Sequence, residues 1–376
     1  MIPSHVIYDT LLGDGVSFFA GVPDSLLKDI CAYITDHAPS GRHVIAANEG
    51  AAVALATGWH LATGEVGLVY LQNSGLGNLV NPLTSLADPE VYSIPMVLLI
   101  GWRGEPGVPD EPQHRKQGRI TPDMLAALEI PAAILPDTLE DAVETVRAAV
   151  AAAKSRNAPQ ALLVRKGTFE SYRLRHHPSN PLAMVREDAV KRVLGTIEDS
   201  AVVVSTTGMT SREVFEYRES AGEGHSKDFL TVGCMGHASQ IAMGLALAKK
   251  DAPVYCLDGD GAVLMHMGSL AIMGTSGLRN LKHVVINNGA HDSVGGQPTA
   301  ALRINLLEIA KACGYQWVAG THDAGEMGDL LEKLKHAEGP AFLEIRVNKG
   351  SRPDLGRPTT TTHENKEQFI AFVRSL

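Results

Sequence analysis

Short, almost uninterrupted apolar runs recur along the chain, at Val16–Ala20, Gly67–Gln72, Met96–Ile100, Ala161–Val164, Ala201–Ser205, Val254–Leu257, His283–Ile286 and Phe342–Val347. Each has the length of a strand, and most are separated by stretches long enough for a helix. Strands alternating with helices predict parallel sheets, so the pattern reads as an α/β chain with two doubly wound parallel-sheet domains. Three helices stand out: one opening near Ala46 and ending at Gly64, a plausible C-cap, one over Ala238–Ala248, and one over Ala262–Ile272.

The polar stretch Ser171–Pro181 carries two prolines and reads as a linker. It predicts domains over residues 1–170 and 185–376, joined by residues 171–184. The two halves have similar strand and helix content, which is compatible with two related domains.

Composition narrows the class. The 376 residues are 44% hydrophobic and 20% charged, enough for two ordinary cores. With 33 basic and 42 acidic residues, the net charge of −9 gives no bias toward nucleic acid or an anionic membrane, and neither partner is expected. No apolar run approaches the ~18 residues of a membrane span, and the N-terminus lacks a basic segment followed by a long apolar core, so a cytoplasmic enzyme is expected. Cys31, Cys234, Cys256 and Cys313 lie far apart without metal-ligand spacing and are expected to be reduced core thiols.

The chemistry concentrates at strand ends. Asp258-Gly259-Asp260-Gly261 follows one buried run and Ile286-Asn287-Asn288-Gly289 the next, with a helical segment between them. Asp-Gly and Asn-Asn-Gly are ordinary turn signals when taken singly. In β-α-β order, however, they fall together on the carboxyl edge of a parallel sheet, where open α/β folds bind ligands. There a carboxylate and an amide oxygen could hold one hard divalent cation, while the glycines would let a diphosphate approach the backbone.

This arrangement resembles the GDG…NN signature of the thiamine diphosphate (ThDP) enzymes. Asn48-Glu49-Gly50-Ala51-Ala52 is similar to that family's glutamate motif, although a glutamate in a first helical turn is ordinarily a dipole-stabilising residue. Gln72-Asn73-Ser74-Gly75-Leu76-Gly77-Asn78 resembles its pyrimidine-side loop, and Gly21-Val22-Pro23-Asp24-Ser25 resembles its first substrate-facing loop. Asp24-Ser25 would equally serve as a helix N-cap. Gly233-Cys234-Met235-Gly236-His237 resembles the diphosphate-side loop, with Met235 where the family props its cofactor in a bent form, and Ser205-Thr206-Thr207-Gly208 could also reach the diphosphate.

The resemblance implies a pyrimidine-type domain followed by a diphosphate-type domain, with ThDP and Mg²⁺ as cofactors. The implied cofactor contacts are Glu49, Ser74, Gly75, Asn78, Thr207, Gly233, Met235, Gly259, Asp260, Gly261, Ala262, Asn288 and Ala290. Asp260, Asn288 and Ala290 would hold the metal, and Glu49 and His291 would act in catalysis. His237 is a weaker candidate, and Asp292 reads as a turn residue or a participant.

Most decarboxylases of the family carry a central domain between the two halves, for which the short linker leaves no room. The compact form resembles the members that decarboxylate phosphonopyruvate or sulfopyruvate. Segments 289–299 and Gly101-Trp102-Arg103-Gly104-Glu105 point the same way. This implies a carbon–carbon lyase acting on a 2-oxo acid with a phosphonate group, in phosphonate biosynthesis. It also implies a homo-oligomer, at least a dimer, with sites shared between subunits. The far end of such a substrate calls for basic or polar groups. Asp24, Ser25, Arg103, Lys116, Gln117, Arg352 and Arg357 are the candidates, with the run His114–Arg119 expected in a Gly/Pro-rich loop and Arg352 and Arg357 preferred because the glycines and prolines around them imply a fixed loop path. Sulfopyruvate decarboxylation and acyloin synthesis are the alternatives within the family. A nucleotide-binding regulatory α/β protein is the alternative outside it, though neither a P-loop nor a well-placed Gly-x-Gly-x-x-Gly is present.

Overall fold

A computed structural model describes residues 1–175 and 182–376. Of the expected linker, residues 176–181 lie outside the described residues. The chain divides into two units, Met1–His177 with Ser293–Gln297, and Pro178–Asp292 with Pro298–Leu376.

The first unit is built on a six-stranded parallel sheet: β1 (Val16–Gly21), β2 (His43–Ile45), β3 (Val66–Gln72), β4 (Met96–Gly101), β5 (Ala132–Ile134) and β6 (Pro159–Val164), in the order β2-β1-β3-β4-β6-β5. Its inner strands are buried on both faces, as their continuous apolar runs require. Alternate residues feed separate cores: Leu68, Tyr70, Val97 and Leu99 on one side, Val69, Leu71, Leu98 and Ile100 on the other.

The second unit repeats the plan. Its strands β7 (Val202–Ser205), β8 (Asp228–Leu230), β9 (Val254–Gly259) and β10 (Leu281–Asn287) join Trp317–Thr321 and Ala341–Arg346. The order across the sheet is Trp317–Thr321, Ala341–Arg346, β10, β9, β7, β8. The α/β expectation of two parallel sheets therefore holds, and all eight runs noted in the sequence are strands.

Strand order places the sites. In the first sheet the chain leaves β1 toward β2 and returns on the other side through β3 and β4, so the order reverses between β1 and β3. In the second, the reversal falls between β7 and β9. Loops that diverge at such a switch point leave a crevice at the carboxyl ends of the strands, which is where α/β sheets bind ligands.

Several local expectations need correction. The helix expected over Ala262–Ile272 starts at Asp260 and is broken into Asp260–Met265 and Gly268–Gly274, because His266 between them takes non-helical angles (φ −133°, ψ 49°). His114–Arg119 lies in the helix Pro112–Ala127 and not in a loop; Pro112, at the first helical position, has a φ pre-set for the helix. Asp24 does not cap a helix directly. The following helix begins at Lys28, and Asp24 Oδ2 accepts from the Leu26 and Leu27 amides of the preceding turn, at 2.8 and 3.3 Å. All four cysteines are free, but Cys234 is exposed, so the expectation of core thiols fails for it.

Candidate active site

In the first unit, Glu49 opens the helix Glu49–Thr63. Asn48 caps this helix by accepting the Ala51 amide at 2.9 Å, and a left-handed Gly64 closes it. The cap turns the Glu49 side chain inward, where only 6% of the residue is exposed. Asn78 Nδ2 donates to Glu49 Oε2 at 2.6 Å. Gly75, just after β3, lies so close that a Cβ built on it would fall 2.3 Å from Glu49 Oε1. Burial raises the Glu49 carboxyl above its ordinary value, against the opposing pull of the Asn78 hydrogen bond. The result is a buried carboxyl group whose surroundings favour the neutral form, beside small residues, a setting suited to sharing a proton with a ring nitrogen. Ser74 is exposed and hydrogen-bonds Gln72 Oε1 at 2.7 Å.

The carboxyl ends of β1, β3 and β4 carry a second polar group. Asp24 is fully buried; burial raises its carboxyl above the ordinary range, and Gln72 Nε2 donates to its Oδ1 at 2.5 Å. Arg103 grips Asp110 through Nε and Nη2, while its Nη1 donates to Ser25 Oγ at 2.7 Å. Asn73 holds this corner by donating to the Arg103 carbonyl at 2.8 Å and to Thr121 Oγ1 at 2.9 Å. Lys116 is exposed and Gln117 half-buried in the helix beyond.

In the second unit, β9 and β10 are adjacent and in register, Gly259 opposite Ile286, so Asp260 and Asn288 emerge side by side. Asp260 is 2% exposed. Burial pushes its carboxyl up to about 6, although the Thr299 hydroxyl and the amides of Asn288, Asp260 and Gly261 all favour its charged form. These partners are hydroxyl and amide groups, with no cation among them, so the carboxylate is short of positive charge. Asn288 Oδ1 lies near, accepting the Ala290 amide at 3.1 Å. Asp260 and Asn288 thus present a carboxylate and an amide oxygen at neighbouring strand ends, donors of the kind that suit a hard divalent cation.

Met235 and His291 converge on Gly261: a Cβ there would meet Met235 Cε and His291 Cε1 and Nδ1, each at 3.2 Å. Met235 is carried on a sharp turn in which Cys234 has φ +60° and Gly236 φ +83°. The non-glycine residue in this sparsely populated region marks a backbone held in shape by its surroundings. Burial lowers the His291 imidazole to about 4, which keeps it neutral near pH 7. Thr207 and Gly233 are half-buried, Thr207 following β7 at the switch point, and His237 is exposed.

Arg352 is enclosed by carboxylates: Nε against Glu187, Nη1 against Asp354 and Nη2 against Glu216. Arg357 is exposed on the same loop. The sequence reading missed Thr299, whose hydroxyl binds Asp260, and the buried Asp258–His283 pair (Oδ2 to Nε2, 3.3 Å), with Tyr315 on the other imidazole nitrogen at 3.1 Å. Asp258 stood in the Asp-Gly-Asp-Gly turn and His283 in the following strand-like run, with nothing to pair them across the adjacent strands β9 and β10, and Thr299 stood only at the end of segment 289–299.

Comparison with known proteins assigns the class. Residues 2–126 match the thiamine pyrophosphate enzyme N-terminal TPP binding domain, and residues 206–345 match the C-terminal TPP binding domain. Among curated proteins, the chain is 37% identical over 388 residues to phosphonopyruvate decarboxylase of Streptomyces viridochromogenes, covering 99% of this chain and 95% of that one. It is 37% identical over 395 residues to that of Streptomyces hygroscopicus, with 99% and 94% covered. A sulfopyruvate decarboxylase of Methanosarcina acetivorans is 25% identical over 371 residues, with 93% and 92% covered. The chain belongs to the thiamine pyrophosphate enzymes and, within them, to the phosphonopyruvate decarboxylase family. Among the described residues, no helix is long and apolar enough to cross a membrane.

Proposed function

We propose that the chain catalyses the non-oxidative decarboxylation of 3-phosphonopyruvate to phosphonoacetaldehyde and CO₂, with ThDP and Mg²⁺, as a cytoplasmic enzyme of phosphonate biosynthesis. The observation that carries this reading is the buried Glu49 carboxyl, held by Asn78 and shifted by burial toward its neutral form, in a chain of this family. When bound, ThDP supplies the electron sink that lets a 2-oxo acid lose CO₂.

The residues divide the remaining work. Glu49 holds a proton at the aminopyrimidine edge, with Gly75 leaving room for its carboxyl group. Asp260, Asn288 and the Ala290 carbonyl hold the cation, and the backbone around Gly233, Gly259, Gly261 and Ala262, with Thr207, receives the diphosphate. Met235, whose Cε lies over Gly261, would support the cofactor from that side. His291, neutral and in van der Waals range of the same glycine, orients or protonates the reacting group.

For the phosphonate end, the reading favours Arg103 with Ser25. Arg103 keeps one edge on a neutral hydroxyl that a substrate oxygen can replace, whereas every donor nitrogen of Arg352 faces a carboxylate. Arg352 then fixes the loop that carries Arg357, Lys116 and Gln117 line the approach, and buried Asp24 supports the corner from behind. The enzyme is a homo-oligomer, at least a dimer, in which Glu49 of one subunit and Asp260 of another complete one site. Mixing Glu49→Gln with Asp260→Ala subunits tests this: recovered activity supports shared sites, and none at any ratio contradicts them.

The sulfonate analogue is the second reading, supported by the sulfopyruvate decarboxylase relative. The ratio of kcat/KM on phosphonopyruvate and sulfopyruvate decides between the two. A larger value on sulfopyruvate would overturn the first.

A further inference from the structure

Asp292 lies outside the donor set just described, yet its Oδ2 gathers donors from three separate segments. Arg186 Nη1 donates at 2.9 Å, the Gly350 amide at 2.8 Å and Asn288 Nδ2 at 3.4 Å, the last at the long end of the hydrogen-bond range. Arg186 is 5% exposed, and its Nε and Nη2 bind the carboxylate of Glu213, itself 2% exposed. A chain of contacts therefore runs from buried Glu213 and Arg186 through half-buried Asp292 to Asn288. Arg186 stands between two acids as their shared counter-charge, which matters because a buried carboxylate without one is strongly disfavoured.

An asparagine presents two different faces, and only Oδ1 can ligate a cation. With Nδ2 directed at a carboxylate and Oδ1 on the Ala290 amide, both contacts of Asn288 impose the same orientation. The Gly350 amide ties the loop after the last strand to the same oxygen. Groups that orient a ligand in this way commonly set metal affinity without touching the metal.

We propose that Asp292 is a positioning residue that presents the Asn288 amide oxygen to the cation, with Arg186 holding the Asp292 side chain in place. The inference rests on the reading of Asp260, Asn288 and Ala290 as the cation site. Its test is an Mg²⁺ titration of the full chain at fixed saturating ThDP, read as the rise in melting temperature, beside the melting temperature without ligands. Asp292→Ala is expected to raise the Mg²⁺ half-point about 10- to 100-fold. Asp292→Asn, which keeps an acceptor oxygen, is expected to recover most of that loss. A folded Asp292→Ala protein whose half-point stays within about twofold of the parent overturns the inference, whatever its stability without ligands, since a purely structural role moves only the latter. Should Asp292→Ala fail to fold, Asp292→Ser, too short to span to Asn288, takes its place with the same two outcomes. A parent protein that shows no Mg²⁺-dependent rise with ThDP overturns the cation site itself, a result distinct from a normal parent and an unaffected variant.

Discussion

Asn78 donates to the Glu49 carboxyl at 2.6 Å, and both residues stand at the starts of helices that follow strand ends of one sheet. The hydrogen bond favours the charged carboxylate while burial favours the neutral acid, and burial prevails. Glu49→Gln should therefore lower kcat by about 10²- to 10⁴-fold, the usual worth of a positioned acid–base group. Steady-state decarboxylation rates check this; a loss under about tenfold would remove Glu49 from the chemistry.

The same raised carboxyl affects stability. Because the folded protein favours the protonated form, the contribution of Glu49 is complete below the ordinary glutamate range, near ~4.3, and is lost as pH rises through the raised value. Glu49→Gln is neutral at every pH. In protein free of cofactor, its melting temperature should gain on the parent as pH rises above the ordinary glutamate range. A difference that is flat or shrinks with pH contradicts the shift.

Gly75 has φ −79°, which any residue adopts, so its role is space and not conformation. Gly75→Ala places a methyl group against the Glu49 carboxyl. It should cost about 1–3 kcal/mol of stability, the range for overpacking, and shrink the ThDP-induced rise in melting temperature. Denaturant unfolding and thermal shift measure the two effects separately.

Thr299→Val removes the hydroxyl that binds Asp260. The Mg²⁺ concentration for half-activation should rise at least about tenfold, in line with other losses of a metal ligand's supporting hydrogen bond, while kcat at saturating Mg²⁺ changes less. An unchanged Mg²⁺ requirement would place Thr299 outside the site.

Arg103 and Arg352 separate by what surrounds them. Arg103→Ala should raise KM for phosphonopyruvate about tenfold or more, equivalent to at least ~1.4 kcal/mol of binding, with kcat within a few-fold. Arg352→Ala should alter KM little, because its charge is already matched by Glu187, Glu216 and Asp354. The reverse pattern would move the phosphonate end to the loop after the last strand.

The sheets were legible because parallel strands covered on both faces need unbroken apolar runs, as in Gly67–Gln72 and Met96–Ile100. The edge strands His43–Ile45 and Ala132–Ile134 escaped notice: they are three residues long and partly or fully exposed, so no apolar run marks them. At the site, Asp260, Asn288 and Glu49 could be picked out because each sits where a strand or helix boundary and a glycine coincide. Thr299 could not, and Asp292, read as a turn residue or a participant, could be given no partner. They reach their partners through a loop whose path no local pattern encodes, and the carboxylate partners of Arg103 and Arg352 come from segments whose folding the charges themselves do not reveal.

The most direct measurement is aldehyde and CO₂ release from phosphonopyruvate by the purified full chain, with and without ThDP and Mg²⁺. Stoichiometric release of phosphonoacetaldehyde and CO₂ that requires both cofactors is the predicted result. No release with both present, in protein that ThDP and Mg²⁺ stabilise against heat, would contradict the proposed reaction while leaving the cofactor site intact.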